Sequence, residues 1–119
     1  MKSESVLQQK SYAFALEVIA TCRSIISEKK EYVLSKQFMR SGTAIGALVR
    51  EAEFAQSRAD FISKLSIALK ESNETDYWIS LLMDSAILDA AKAASLQSEN
   101  RELIKILVSS IKTVKSQLK

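Results

Sequence analysis

The sequence predicts an all-α protein, folded as an antiparallel up-down-up-down four-helix bundle. Its 119 residues contain no proline, and both glycines, Gly42 and Gly46, lie inside helical patterns, so strands and hairpins lack the residues that usually form their turns. Apolar residues recur at helical intervals along four long stretches. Because short connections join these stretches, successive helices must run antiparallel. The length fits one ordinary domain, and we expect residues 1–119 to form it.

The first two predicted helices cover about residues 5–29 and 35–55. Consecutive lysines, Lys29 and Lys30, mark the end of the first helix. Ser35 is the expected N-cap of the second, because a serine hydroxyl can accept a hydrogen bond from a free backbone N–H. The apolar positions expected to face the core from the first helix are Val6, Tyr12, Ala13, Leu16, Ile19, Ala20 and Ile26.

The third and fourth predicted helices cover about residues 57–84 and 89–117. Ser57 is the expected cap of the third, with Asp60 following three residues later as an acidic variant of the capping box. Asp89 is the expected cap of the fourth. The apolar pattern is weak at the start of that helix, which leaves open whether this part is a separate turn, a kink or continuous helix.

Residue chemistry removes most classes of enzyme. The chain has no histidine and a single cysteine, Cys22, which excludes Ser-His-Asp and Cys-His catalysis, an internal disulfide and a cysteine-based zinc site. We therefore expect no enzymatic activity, no metal and no cofactor. The apolar runs are too short to span a bilayer, and the N-terminal residues lack the apolar region of a secretory signal. We expect a cytoplasmic protein with no membrane partner.

Charge is unevenly distributed, although its net value is only +3. Lys36, Arg40 and Arg50 follow one another with no acidic residue between positions 35 and 50. Acidic residues predominate from Glu71 to Glu102, and only basic ones follow. A basic surface of this kind binds polyanions such as nucleic acid, or pairs with the acidic part of another copy. Ordinary charge scatter over solvated helix faces is the other interpretation.

The central part of the chain contains the candidate packing and binding residues. Gly42 and Gly46 are four residues apart and share one helix face, which predicts a close helix crossing within the bundle or between subunits. Glu51 and Glu74 are expected to face the neighbouring helix in a polar network with nearby cations. Aromatic side chains can stack nucleobases, but helical spacing favours core positions for Tyr12, Tyr32, Tyr77 and Trp78.

One segment carries a long, specific pattern. Residues 37–78 read QFMRSGTAIGALVREAEFAQSRADFISKLSIALKESNETDYW. This segment resembles the signature of the 23S rRNA intervening-sequence protein family, whose members are also called four helix bundle proteins. The matching positions are Gln37, Arg40, Ile45, Ala47, Arg50, Glu51, Ser57, Asp60, Phe61, Lys64, Leu65, Ile67, Ala68, Lys70, Glu71, Glu74, Thr75 and Trp78.

The resemblance implies a bundle that assembles into a ring-shaped homopentamer with a basic central channel. The chain is also similar to the accessory variability protein of diversity-generating retroelements, a pentameric bundle that binds a reverse transcriptase and nucleic acid. One position departs from the family pattern, because Leu48 stands where Asn is usual. A hydrogen-bond network that uses this Asn would be absent or rebuilt.

The leading hypothesis is a non-enzymatic homopentamer that binds nucleic acid through a shared basic surface. RNA, ribosomal or other, is favoured over DNA. The expected phosphate contacts are Lys36, Arg40, Arg50 and Lys64, with Arg23 and Arg58 as further candidates. The alternative is a protein-interaction module that docks onto a larger enzyme such as a reverse transcriptase. A structural oligomer without a polyanion partner is the third interpretation.

Overall fold

The computed structural model describes residues 5–118 and contains four α-helices joined by short turns. They are α1 (Val6–Lys29), α2 (Val33–Glu53), α3 (Arg58–Asp84) and α4 (Ala90–Gln117). Helix α1 packs against α2 and α4, and α3 packs against the same two helices, while the diagonal pairs are not in contact. The bundle is a rod of 50 × 25 × 21 Å. The prediction of an all-α four-helix bundle is confirmed.

Side chains cap the start of α1, α3 and α4. Ser5 and Gln8 form a reciprocal capping box at α1, with hydrogen bonds of 3.1 and 2.9 Å. The Ser57 hydroxyl accepts from the Asp60 N–H at 3.0 Å, but the Asp60 carboxylate reaches one residue further back and accepts from the Gln56 N–H at 3.2 Å. At α4, the Asp89 carboxylate accepts from the Lys92 N–H at 2.9 Å. Each cap satisfies N–H groups that the helix itself leaves free.

The predicted N-cap of α2 was wrong. Ser35 lies inside the helix, fully buried, and its hydroxyl donates to the Glu31 carbonyl oxygen at 2.8 Å. The Glu31 carboxylate caps the helix instead, accepting from the N–H groups of Val33, Leu34 and Ser35 at 2.9 Å each. Two carboxylate oxygens serve three N–H groups where one hydroxyl would serve one. Helix α2 therefore starts at Val33, and it ends at Glu53 instead of extending to residue 55.

Two turns place a non-glycine residue in the left-handed region. Lys30, after α1, has φ 56°, and Ala86, after α3, has φ 64°. Beyond the second turn, α4 runs without interruption from Ala90 to Gln117, so its weakly patterned start is neither a separate turn nor a kink. Ala93 and Leu96 in that part are fully buried, which anchors the first turns of α4 to the bundle.

The core face predicted for α1 was wrong. None of the positions predicted to be buried there is buried, and Tyr12 and Leu16 are 61% and 52% exposed. Helix α1 is apolar on two faces, and the structure packs the other one inward. The buried residues of α1 are Leu7, Ser11, Phe14, Val18, Thr21, Cys22 and Ile25.

Polar pairs lie within the apolar interior. The Thr75 and Ser41 hydroxyls are hydrogen-bonded at 2.9 Å between α3 and α2. Ser72 and Asn100 are bonded between α3 and α4. Leu48 is half-buried and packs against the hydrophobic core. Satisfied polar pairs of this kind favour one arrangement of the helices, because any other arrangement leaves polar atoms buried and unpaired.

Candidate nucleic-acid interface

Arg40 is held between two carboxylates at the α2–α3 boundary. Its guanidinium pairs with Glu71 at 3.1 Å and with Glu74, and it donates to Gln37 at 3.3 Å. The Trp78 indole N–H donates to the same Glu74 carboxylate at 3.0 Å. This hydrogen bond from Trp78, together with Arg40, lowers the pKa of Glu74 against the opposing effect of desolvation. The cluster contains two carboxylates and one guanidinium, so the positive charge of Arg40 is already neutralised within the protein.

Glu51 differs from the expectation of an enclosed carboxylate. Its side chain is 57% exposed and pairs with Lys64 at 3.7 Å across the α2–α3 boundary. Exposed ion pairs of this length contribute at most about 1 kcal/mol. Glu51 and Glu74 therefore belong to two separate ion-pair groups along the same boundary, and only Glu74 takes part in a hydrogen-bonded cluster.

Both glycines lie where α2 crosses α1. A Cβ atom built on Gly42 would lie 2.8 Å from a Val18 methyl carbon, and one on Gly46 would lie 3.3 Å from the Ser11 carbonyl oxygen. Side chains at these positions would push the helices apart. The close approach is thus made within the bundle.

The other predicted cations are free of carboxylate partners among residues 5–118. Arg23, Lys36, Arg50 and Arg58 are all exposed, and their side chains make no ion pair there. Arg58 is the first residue of α3, so it does not belong to α1 or α2. The remaining three lie on α1 and α2, whose closely packed boundary contains the two glycines. A solvated cation without a partner keeps its full capacity to attract an anion.

These three cations share one side of the bundle. On α2, Lys36, Thr43, Ala47 and Arg50 follow intervals of seven, four and three residues, and therefore lie along one helix face. Arg23 on α1 lies near Lys36, because the neighbouring residues are in contact: the Cys22 Sγ is 3.3 Å from the Ser35 carbonyl oxygen. We call this surface the α1–α2 face.

Arg23 shares its helix face with three residues of α1 at intervals of four, three and four: Tyr12, Leu16 and Ile19. Along α2, Lys36 and Arg50 are separated by a rise of about 21 Å. The α1–α2 face therefore has a basic end at Arg23 and Lys36 and a second basic site at Arg50.

A groove with a cavity volume of about 240 Å³ lies on the α1–α2 face. Its floor consists of small side chains, and Tyr12 and Arg50 contribute the two large ones. The lining residues are Gln8, Ser11, Tyr12, Ala15, Thr43, Gly46, Ala47 and Arg50. The Gln8 side-chain amide donates to the Glu53 carboxylate, which closes the groove at that end.

The core placement predicted for the tyrosines was wrong. Tyr12 is 61% exposed, and Tyr32 and Tyr77 are each 57% exposed, whereas Trp78 is half-buried and packs against the core. For Tyr12, periodicity alone did not reveal this, because α1 has two apolar faces and either could be buried. The sequence feature that indicates the buried face is a second apolar row of Phe14, Val18 and Ile25. These side chains are large and, unlike Tyr12, carry no hydroxyl group that needs a hydrogen-bond partner.

Other kinds of site are absent from the described part of the chain. Residues 5–118 include no group of three or more His, Cys, Asp or Glu that could hold a metal ion. None of their helices is long and apolar enough to cross a membrane. Burial, together with the nearby Glu31 charge, raises the pKa of the Cys22 thiol to about 12, so this cysteine stays protonated and unreactive.

Comparison with known proteins agrees with this architecture. The family model for the 23S rRNA-intervening sequence protein matches residues 3–109. A solved structure from Bacteroides thetaiotaomicron, described as a protein of unknown function from the S23 ribosomal protein family, is 48% identical with a TM-score of 0.89. The match covers 90% of this chain and 99% of that one. No curated protein matches. The chain belongs to the 23S rRNA-intervening sequence protein family.

Proposed function

We propose that this protein is a non-enzymatic RNA-binding bundle that works in the cytoplasm as a homo-oligomer, with five subunits as the expected number. The observation that carries the proposal is the α1–α2 face, where Arg23, Lys36 and Arg50 are exposed without a carboxylate partner among residues 5–118. When such cations contact phosphates, they displace the counterions that are condensed on the nucleic acid, and this release favours binding. The family name refers to 23S rRNA, which makes RNA the favoured polyanion.

The unpaired cations are assigned the direct phosphate contacts. Arg40 and Lys64 already have carboxylate partners, so a phosphate would have to compete with Glu71, Glu74 or Glu51 for them. Their contribution to RNA binding is smaller for that reason. Arg58 is exposed and has no ion pair among residues 5–118, but it lies on α3 and not on the α1–α2 face. It is therefore assigned a contact with a longer RNA only.

Self-association is supported by large apolar side chains that the single subunit leaves in water. Phe54 is 78% exposed, Val33 is 73% exposed and Ile67 is 41% exposed. Burial of a side chain of this size contributes about 1.5–3 kcal/mol. Subunit association would also place several copies of the α1–α2 face on one particle, which raises avidity for a long polyanion.

RNA binding is tested by fluorescence anisotropy of the full chain with labelled fragments of 23S rRNA. We expect binding at about 50 mM salt that weakens steeply by about 200 mM. Lys36→Gln and Arg50→Gln should each reduce the salt slope by about one unit. Arg101→Gln is the matched control, because this cation pairs with Asp76 at 3.6 Å on another side of the bundle. No binding at low salt, or an equal loss in all three variants, would overturn the proposal.

The assembly is tested separately by sedimentation velocity and native mass spectrometry. A particle of five subunits is expected, and a stable monomer at micromolar concentration contradicts the oligomer. Phe54→Ser should weaken an oligomer without unfolding the subunit, because Phe54 is mostly exposed. The helical circular dichroism signal of this variant should match that of the parent.

A further inference from the structure

We propose that the groove between α1 and α2 holds one unpaired nucleotide of a single-stranded RNA, with its base stacked on Tyr12 and a phosphate at Arg50. The inference rests on the proposed RNA-binding function and specifies the part of the RNA that is recognised. Its support is a concave site in which an exposed aromatic ring and an unpaired cation line the same small cavity.

The shape of the groove follows from the small residues beneath it. A Cβ on Gly46 would lie 3.3 Å from the Ser11 carbonyl oxygen, so the absence of that atom lets the two backbones approach. The short side chains of Ala15 and Ala47 leave space in the groove, and the longer side chains of Tyr12 and Arg50 form its walls. A cavity of about 240 Å³ is large enough for a planar heterocycle and far too small for a duplex.

The groove also contains an acceptor for the edge of a base. The half-buried Thr43 donates its hydroxyl proton to the Met39 carbonyl oxygen at 2.7 Å. Because this hydroxyl uses its proton within its own helix, the oxygen that faces the groove is an acceptor. The Ser11 hydroxyl is buried and donates to the Gln8 carbonyl oxygen at 3.2 Å, so it belongs to the helix packing beneath the groove. An amino group of a base is the donor that fits the Thr43 oxygen.

Charge determines the direction in which the strand leaves the groove. At one end the Glu53 carboxylate, held by Gln8, repels a phosphate. In the other direction Arg23 and Lys36 lie on the same face without carboxylate partners among the described residues. The RNA backbone therefore passes from Arg50 towards this second pair of cations, over a distance of about 21 Å along α2.

The chemistry favours unpaired over paired nucleotides. Bases in an A-form duplex are stacked on one another and lie in a deep, narrow major groove that side chains do not enter. A single strand can turn one base out and stack it on an aromatic ring, whatever the identity of the base. The cations on the α1–α2 face serve both kinds of RNA, so the distinguishing contact is Tyr12.

The experiment compares two RNA probes of equal length, a labelled single strand and a blunt hairpin duplex, in anisotropy titrations with the full chain. Tyr12→Ala should weaken binding of the single strand by about 5- to 100-fold and leave duplex binding unchanged. Tyr12→Phe keeps the ring and should retain most of the affinity. Ala47→Leu should also weaken single-strand binding, because it fills the groove from an exposed position. Tyr77→Ala, which removes an equally accessible tyrosine on α3, is the control.

The outcomes separate this inference from the function on which it rests. Absence of binding to both probes overturns the proposed RNA binding itself. Binding of both probes with no effect of Tyr12→Ala and Ala47→Leu leaves RNA binding in place and overturns the groove assignment. A Tyr12→Ala protein that changes sedimentation mass assigns Tyr12 to a subunit contact, and this also overturns the groove assignment.

Discussion

Asn100 and Ser72 tie α4 to α3 through a reciprocal pair of hydrogen bonds. The Asn100 amide donates to the Ser72 carbonyl oxygen at 2.9 Å, and the Ser72 hydroxyl donates to the Asn100 side-chain oxygen at 2.5 Å. Both residues are fully buried. In an apolar interior, each of these groups would be costly if its partner were removed.

Asn100→Leu should therefore destabilise the protein by about 1–3 kcal/mol, because it leaves the Ser72 hydroxyl buried without its partner. Urea denaturation followed by helical circular dichroism measures the loss. The double variant Ser72→Ala with Asn100→Leu removes both polar groups and should recover part of it. If the two single changes simply add in the double variant, the pair does not interact as described.

Gly42→Ala should destabilise the protein even though alanine is the better helix former. The new Cβ would lie 2.8 Å from one Val18 methyl carbon and 2.9 Å from the other. A branched, fully buried valine cannot swing away, so the overpacking should cost about 1–3 kcal/mol, against a gain of about 1 kcal/mol in helix propensity.

The compensating change is Val18→Ala in the same chain. We expect Gly42→Ala to be less harmful in the Val18→Ala background than in the parent, in the same denaturation assay. Gly42→Ala that raises the stability of the parent would show that α1 moves aside at no cost.

Ala86→Gly should stabilise the protein. Ala86 has φ 64°, a conformation that costs an L-residue about 1–2 kcal/mol and glycine almost nothing. Glycine also makes the unfolded chain more flexible, which offsets part of this gain. The expected net increase in the free energy of unfolding is about 0.5–1 kcal/mol. Thermal and urea unfolding both measure it.

Ala94→Gly is the matched control for that prediction. Ala94 is exposed within α4, so its replacement should lower the free energy of unfolding by about 1 kcal/mol. Opposite signs for the two alanine-to-glycine changes are the result expected from backbone geometry. A loss of stability at both positions would contradict the left-handed turn at Ala86.

The Glu31 cap should make stability depend on pH. Burial opposes the charged form, but hydrogen bonds from the backbone N–H groups of Val33, Leu34 and Ser35 outweigh it and lower the pKa of Glu31. A lowered pKa in the folded state means that the cap contributes its full stability above the unfolded value of about 4.3. That contribution is lost as the pH falls through the lower folded-state pKa.

Glu31→Gln should accordingly cost about 1 kcal/mol at neutral pH, and the difference from the parent should shrink at an acidic pH below the lowered folded-state pKa of Glu31, since the carboxylate is then protonated. Urea titrations at the two pH values measure the difference. Glu28→Gln is the control, because this exposed residue bonds only to the Ser24 hydroxyl at 3.2 Å. An equal loss for Glu31→Gln at both pH values would exclude the carboxylate as the source.

Much of the fold was predictable because it depends on local patterns. The serine and aspartate caps at α3 and α4 act over three residues, and their hydrogen bonds of 3.0 and 2.9 Å lie within one turn. The cap of α2 was not predicted, since Glu31 lies before the helix, directly after the two lysines that mark the end of α1. Serine is the more common N-cap residue, but in the folded chain the Glu31 carboxylate is the group that lies within hydrogen-bond distance of the free N–H groups of α2.

The candidate site was less predictable, because its ion pairs join residues that are far apart in the sequence. Sequence showed that Arg40 and Arg50 are cations on one helix, but only the packed structure shows that Arg40 is bracketed by Glu71 and Glu74. Those acids are more than thirty residues away in the chain. Arg50 has no such neighbour among the described residues, and it alone of the two lines the groove with Tyr12.

The helices, their antiparallel order and the close crossing at the two glycines follow from local sequence features, because periodicity, capping and residue size act within a helix or on one of its faces. Tertiary structure decided which of the two apolar faces of α1 is buried. Both faces satisfy helical spacing, and the choice depends on how Phe14 and Val18 fit against the other helices. That choice turns Tyr12 outwards beside Arg50.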